Sequence, residues 1–331
     1  MVHFSRLKMI LIWLAIATML VDAPSLHAAG PDVLLRLDAT DVIDRRLEAT
    51  RDEIRTLLRD ARIGYTALAK SGRAVQVHIT DAAQVGAAKM ALKAVTDPVL
   101  GSAGPVQEMI LDDTGAALLK FTVTDTGIKY RISIALAQSI VVIKNRLRDL
   151  GVADTVVQPE GEDGMLVRTS GVADLQRLRR ILTRTGMLTF QWVDESMPVA
   201  DAINGRTPAG SVVVYSKDDP PVPYLVESRT IVSSDDIVNA QATPNSVTNE
   251  PAVSFTFDSR ATARVAQATS QNVGKLFAMI LDNQVLSVPV VREPILNGRG
   301  QISGNLTKEN ADDLALLLRS GPMPAQLKIV E

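Results

Sequence analysis

An α+β fold is what this sequence predicts, on three observations. Three stretches repeat one plan of helix, two strands, helix and strand. Their helical segments carry apolar residues three and four apart, and their strand segments are apolar or alternating runs bounded by Gly, Asn and Asp. Apolar residues make up 46% of the 331 and charged residues 22%, which suffices for two or three cores. Strand–helix–strand units with antiparallel sheets point to ferredoxin-like βαββαβ-type layers.

The first stretch opens with a strand at Val33–Leu37. Asp41 is expected to cap a helix running to Asp60, with Ile43, Leu47, Ile54, Leu57 and Leu58 inward. Strands follow at Tyr65–Ala69 and Ala74–Ile79, turning at Ser71-Gly72. Asp81 begins a second helix, with Gln84 placed for a capping box. Gln107–Leu111 and Ala117–Val123 form a hairpin about Asp113-Thr114-Gly115. The second stretch holds the clearest helix. Ile132, Leu136, Ile140, Ile143, Leu147 and Leu150 make one apolar stripe, with Lys144, Asn145, Arg148 and Asp149 off it and Gly151 as C-cap. Strands at Thr155–Gln158 and Met165–Arg168, a helix over Val172–Thr185 and a strand at Met187–Val193 complete it.

The third stretch starts with a strand at Ala252–Phe257 and a helix capped by Asp258 or Ser259 that ends near Asn272. A hairpin pairs Leu276–Leu281 with Gln284–Val290 across Asp282-Asn283. A Gly-rich loop, a helix at Lys308–Arg319 and a final strand at Gln326–Val330 follow. Between the second and third stretches, Asp194–Glu250 is rich in proline and reads as loops and short strands, Ser211–Tyr215 among them. It begins an inserted or appended subdomain. The predicted divisions are 1–29, 30–125, 126–193 and 194–331.

The N-terminus has the order of a secretory signal: Arg6 and Lys8, the apolar run Met9–Val21, then small and polar residues over Asp22–Gly30. As a helix the run spans about 20 Å, short of the ~30 Å hydrocarbon core. Cleavage after Ala28 or Ala29 is the favoured reading, and an uncleaved N-terminal anchor is its competitor. No later segment reads as a membrane span, so everything after Gly30 is expected in water.

Composition narrows the chemistry. A net charge of -2, from 35 basic and 37 acidic residues, leaves no excess to draw in nucleic acid, and aromatics at 4% make base-stacking platforms improbable. There is no cysteine, which removes disulfides, thiolate catalysis and Cys-based zinc sites. Histidines are His3, His27 and His78, and only His78 follows the leader, so no Ser-His-Asp set or His-metal cluster can be assembled. The pairs Asp112-Asp113, Asp218-Asp219, Asp235-Asp236 and Asp312-Asp313 are adjacent in sequence. Their carboxyls point apart, whereas acid–base work needs two that converge. Glu160–Asp163 lacks the alternating oxygens and final Glu of a calcium loop. Gly298-Arg299-Gly300-Gln301-Ile302-Ser303-Gly304 has the wrong spacing for a dinucleotide fingerprint and reads as a loop needing positive φ. No catalytic residue, metal site or cofactor is predicted, and the chain is expected not to be an enzyme.

Two segments carry a resemblance. In Ala135–Gly171, Gln138, Ser139, Ile143, Asn145, Arg146, Leu150, Gly151, Val152, Gln158, Gly161, Asp163 and Gly171 stand in the matching places of a "QS…I.NR…LGV…P.VQ..G.D.I.V..PG" pattern. In Thr269–Glu331, the runs SQNVGKLFAMILDNQVLSVPVV and GQISGNLTKENADDLALLLRSGPMPAQLKIVE fit "T..N.G…A..LD..V.S.P" and "I.G…A..L..LLR.G..P". With weaker similarity over Val33–Thr124, the chain resembles the periplasmic part of SecD, a bacterial protein-export subunit. The resemblance implies a base of ferredoxin-like units and an α+β head subdomain that contacts emerging polypeptide. In the family, the proton gradient drives this through a membrane bundle shared with SecF.

Two departures accompany the resemblance. The family's "DL.GG" motif before the first strand is absent, and the sequence ends at Glu331, where the family continues into membrane helices. The expectation is a periplasmic module, exported by its N-terminal signal or held to the inner membrane by that segment uncleaved, that assists export by binding emerging or unfolded polypeptide without a proton-coupled channel of its own. Expected partners are translocating polypeptide and SecF-like and translocon channel subunits, with no nucleic acid. The alternative is a stand-alone non-catalytic envelope adaptor on the same fold. No motif names the polypeptide-binding residues.

Overall fold

The structure is a computed structural model and describes residues 32–330, apart from 114–116, 171, 173, 247 and 305. The expected leader or anchor, the Thr114-Gly115 turn tip and Gly171 lie outside the described residues. Helix and strand are mixed along the chain, and the strands form several separate sheets, an α+β architecture.

Strand β1 (Asp32–Leu37) turns Val33, Leu35 and Leu37 inward. Asp38 then caps helix α1 (Ala39–Asp60), accepting from the Thr40 amide at 3.0 Å, so the helix starts ahead of the expected cap. Asp41 falls in the first turn and accepts from Arg45 at 3.0 Å and from the Gln326 amide at 2.7 Å. The inner face of α1, with Leu47, Ile54 and Leu58, covers an antiparallel sheet of order β2-β3-β7-β6: β2 (Tyr65–Ser71), β3 (Ala74–Ile79), β6 (Met109–Asp113) and β7 (Leu118–Val123). Gly72 makes the β2–β3 turn at φ +59. Between β3 and β6 lie α2 (Val85–Ala91) and a short ribbon, β4 (Val99–Gly101) with β5 (Gly104–Val106), that the sequence did not announce.

Helix α3 (Asp125–Asp149) begins seven residues before its predicted stripe, capped by Thr124. It passes closely over the start of β6 at Gly127, where a Cβ would stand 2.5 Å from the Glu108 carbonyl oxygen. By length and composition α3 could cross a membrane, which corrects the expectation that no segment after the leader would. The reason is that its outward face, at Ile134, Ala137 and Val141, is apolar as well as its inward one. Strands β8 (Val156–Glu160) and β9 (Gly164–Arg168) and helix α4 (Leu175–Thr183), shorter than predicted and capped by Asp174, follow.

β1 does not pair within the first stretch. It lies between β9 and the last strand, β19 (Leu327–Val330), in a sheet of order β19-β1-β9-β8 with every neighbour antiparallel. Helices α3 and α4 cover it through Leu136, Ile143, Leu147, Leu178 and Leu182. Periodicity sets which face of a strand is buried, but not which strand lies beside it. We call this layer the base.

The remaining strands form a head. One sheet has order β12-β11-β17-β16-β10-β13, from β10 (Leu188–Trp192), β11 (Ser211–Ser216), β12 (Pro223–Glu227), β13 (Val232–Ser233), β16 (Phe277–Leu281) and β17 (Gln284–Ser287). The second has order β14-β15-β18, from β14 (Ile237–Pro244), β15 (Pro251–Phe257) and β18 (Arg299–Ile302). With α5 (Ser259–Ser270) and α6 (Lys308–Ser320) they enclose a core in which Phe190, Trp192, Phe255, Phe257 and Phe277 stack at centroid distances of 4.5–5.8 Å. Five of the twelve Phe, Tyr and Trp residues in the chain thus lie here.

The Gly-rich loop proves to contain β18. Gly298 and Gly304 do take positive φ, +63 and +111, as expected, but Gly300 is needed for space. A Cβ on Gly300 would lie 2.3 Å from the Phe255 ring. Gly300→Ala is expected to destabilise the head by about 1–3 kcal/mol through overpacking, measured as a lowered urea midpoint. An unchanged midpoint would remove the close approach as the reason for glycine.

Candidate functional site

The chain passes from base to head twice, and both crossings meet at one side chain. It leaves α4 through Arg184–Met187 and returns from α6 through Gly321–Met323, and the Met323 amide donates to the Thr185 carbonyl at 2.8 Å. Arg146, fully buried on α3, reaches between them. Its guanidinium donates to the carbonyls of Ile181 at 2.7 Å, Thr185 at 3.0 Å and Gly321 at 3.4 Å, to that of Arg184, and to the Ser320 hydroxyl at 3.4 Å. Gly186 sits against it at φ +72, where a Cβ would lie 3.2 Å from a guanidinium nitrogen. Burial lowers the Arg146 pKa to about 10, partly offset by the charge of Asp282, so the side chain stays cationic at neutral pH. Asp282 ties the head to the same point, accepting from the Met187 amide at 2.9 Å and from the Thr185 hydroxyl.

Beside this junction a cleft of about 560 Å³ opens between α4, the β11–β12 and β16–β17 hairpins and α6. Half-buried Tyr224, Leu286, Val288 and Leu306 offer it an apolar floor. Leu286 is the extra residue of a bulge: Ser287 pairs with Met279 and Val285 with Ile280, and Leu286 has no partner across the strand. Such a bulge re-aims a side chain. β11 runs beside β17 for two positions only, Tyr215 against Gln284 and Ser216 against Val285. The rim is charged. Arg180 pairs with Glu309 at 2.9 Å and Arg177 with Asp313 at 2.7 Å, and the Asp313 bond holds Arg177 above its ordinary pKa. Lys217, Asp218 and Arg184 are exposed at the mouth.

The residues weighed for chemistry are scattered. His78 is exposed on β3. Asp112 accepts from Thr122 at 2.7 Å, Asp236 from the Ser233 amide at 3.0 Å and from Arg264 at 2.6 Å, and Asp313 from Arg177. Asp218-Asp219 lead into a turn at Pro220. Among the described residues no cluster of three or more His, Cys, Asp or Glu is placed to hold a metal ion. An apolar floor under a rim of fixed ion pairs can hold a flexible chain of mixed polarity. The sequence placed Arg146 in a motif without a role. Its signal was its position, three residues after Ile143 and four before Leu150, on the buried side of the helix.

A family model described as "SecDF, P1 head subdomain" matches residues 211–325, and one described as "Protein translocase subunit SecDF, P1 domain, N-terminal" matches 136–195. The chain belongs to the SecD family, through that family's periplasmic region. It is 30% identical over 302 residues to the protein translocase subunit SecD of Rickettsia bellii, covering 91% of this chain and 56% of that protein. To the SecD of Calditerrivibrio nitroreducens it is 29% identical, covering 91% and 59%. To the SecDF of Brucella abortus it is 35% identical over 221 residues, covering 67% and 28%. The chain thus spans a little over half the length of the SecD relatives. A crystal structure of SecDF in a super-membrane-facing form aligns with 60% of this chain and 28% of its own, at 28% identity and a TM-score of 0.49.

Proposed function

We propose that this SecD-family chain assists protein translocation by holding an extended stretch of emerging or unfolded polypeptide in the cleft between base and head. The observation that carries this is the cleft floor. Tyr224, Leu286, Val288 and Leu306 remain partly accessible beside a strand, β17, that keeps a partner for only two positions on its β11 side. A strand laid along such an edge gains main-chain hydrogen bonds, and alternate side chains meet the apolar floor. Family membership supports a place beside the translocon, on the periplasmic face of the inner membrane, without catalysis.

The base is read as one ferredoxin-like βαββαβ unit interrupted twice. The order β19-β1-β9-β8, with α3 after the first interruption and α4 before the second, supports this reading. Residues 39–124 are then an inserted unit and 188–321 the head.

Titration of a fluorescent, reduced and unfolded polypeptide into the chain tests the cleft. Binding is expected in the micromolar range, and Leu286→Asp should weaken it at least about tenfold, near 1.4 kcal/mol. A photo-crosslinking probe at Leu306 should label the bound polypeptide. Binding untouched by Leu286→Asp, with no adduct at Leu306, would move the interaction elsewhere. No binding at all would favour the adaptor reading.

A further inference from the structure

Helix α3 has two apolar faces, and only one is covered. Its inner stripe, with Leu136, Ile143 and Leu147, is buried in the base core. The opposite face carries half-buried Tyr130 and Ile134 and exposed Ala137 and Val141, at spacings of four, three and four. Val141 is 57% exposed. Tyr130 carries the strip onto the β4–β5 ribbon. Its ring lies against Gly101, 3.3 Å from where a Cβ would stand, and its hydroxyl donates to the Leu100 carbonyl at 3.3 Å. The Leu100 side chain is 83% exposed. The helical part alone spans about 16 Å. Single exposed apolar residues need no explanation, but a contiguous row does.

Charge selects the partner. Lys129, Lys144 and Arg148 stand exposed on the same helix. Its two acids are held by arginines: Asp125 pairs with Arg73 at 2.7 Å, and Asp149 with Arg319 at 2.7 Å and with Arg148 at 3.8 Å. The ribbon itself, from Pro98 to Gln107, has no charged residue. An apolar strip edged by cations is the pattern of a helix lying in the headgroup layer of an anionic bilayer. Where the N-terminal apolar run is retained rather than cleaved, the sequence also supplies a tether. Behind Arg6 and Lys8 comes the apolar run Met9–Val21, and ten residues, Asp22–Pro31, join it to β1. Fully extended, such a linker reaches about 33 Å.

We propose that the outer face of α3, together with Leu100, is a lipid-contact surface that seats the base on an anionic membrane. None of its residues lines the cleft, so the two surfaces are tested separately.

The chain contains no cysteine, which permits single labels. Val141→Cys, Leu100→Cys and, as a control on the head, Val273→Cys would each carry an environment-sensitive fluorophore in the full chain. The probes are vesicles of phosphatidylcholine with or without phosphatidylglycerol. At positions 141 and 100 emission should shift to the blue and be quenched by brominated lipid, only with the anionic vesicles, while position 273 stays unchanged. A Lys129→Ala/Lys144→Ala variant should need about 25-fold more lipid for the same shift, roughly fivefold per charge. Its far-UV spectrum should match that of the parent. The readout is local, so it holds whether or not residues 9–21 also retain the chain on the vesicle. Absence of lipid quenching at 141 and 100 while the chain co-floats with anionic vesicles overturns the proposal. So does a shift that needs no lipid and grows with protein concentration, which would assign the face to a second copy.

Discussion

Arg146→Met is expected to lower the stability of the chain by about 3–5 kcal/mol, the range for stripping one partner from a buried charged network. Methionine fills much of the space but donates nothing. The carbonyls of Ile181, Arg184, Thr185 and Gly321 would lose their shared donor inside the protein, at a cost of about 1–3 kcal/mol for each one left without water or another partner. Arg146→Lys keeps the charge but cannot span both crossings, because an ammonium lacks the planar fork that serves several carbonyls at once. Its loss should fall between the two. Urea denaturation measures both variants. Limited proteolysis at Arg184–Met187 adds a local readout, since cleavage there should accelerate in Arg146→Met. A variant as stable and as protease-resistant as the parent would mean that the junction is held by Asp282 and the Met323–Thr185 bond alone.

Glu108→Gln is expected to cost about 2–4 kcal/mol and to change how stability depends on pH. Glu108 is 1% exposed, between α1 and α3 at the start of β6. It accepts from Arg46 at 2.6 Å and from both the Nε and, at 2.6 Å, an Nη of Arg131. Burial pushes its carboxyl up, but the hydrogen bonds from Arg131 and Arg46 outweigh it and leave the pKa below the ordinary 4.5. Because the folded pKa is the lower one, the unfolded chain takes up the proton first as pH falls. The contribution of Glu108 is therefore complete above about pH 4.5 and is lost as pH drops through the folded pKa. The stability gap between parent and Glu108→Gln should be widest near neutrality and shrink below pH 4. A gap that stays constant down to pH 3 would mean that the carboxylate charge is not what stabilises the contact.

Much of the fold was legible in the sequence because local chemistry decides it. Asp258, Gly72, Gly151 and the Asp282-Asn283 turn, with φ +51 and +66, hold the conformations their residue types favour. The α3 stripe and the Lys308 helix followed from spacing alone. β14 went unread, since Asn239, Gln241 and Thr243 alternate with Ala240 and Ala242, too small to mark an apolar face. β18 hid among glycines because a ring from β15, not its own side chains, fills the space above it. The partner of β1 was beyond periodicity, since burial on one face says nothing about what lies at either edge. The cleft was illegible for a related reason: its floor joins residues from β12, from the β17 bulge and from the loop before α6, which only the folded head brings together. Arg146 was visible as a charge on an apolar stripe, yet its partners are main-chain carbonyls, which leave no mark in a sequence.

The pairing of Leu37 with Leu327 sets the order in which such a chain can mature. These partners are about 290 residues apart, and closing a flexible loop of that length costs on the order of 5 kcal/mol in chain entropy. The core under the β2-β3-β7-β6 sheet and the core of the head can each be buried first, which shortens the effective loop. The base sheet, by contrast, has an open edge at β1 until its last four residues arrive, and an open strand edge invites other strands. Among the described strands β1 is made first and β19 last, so β1 stays open on that side until β19 has been made.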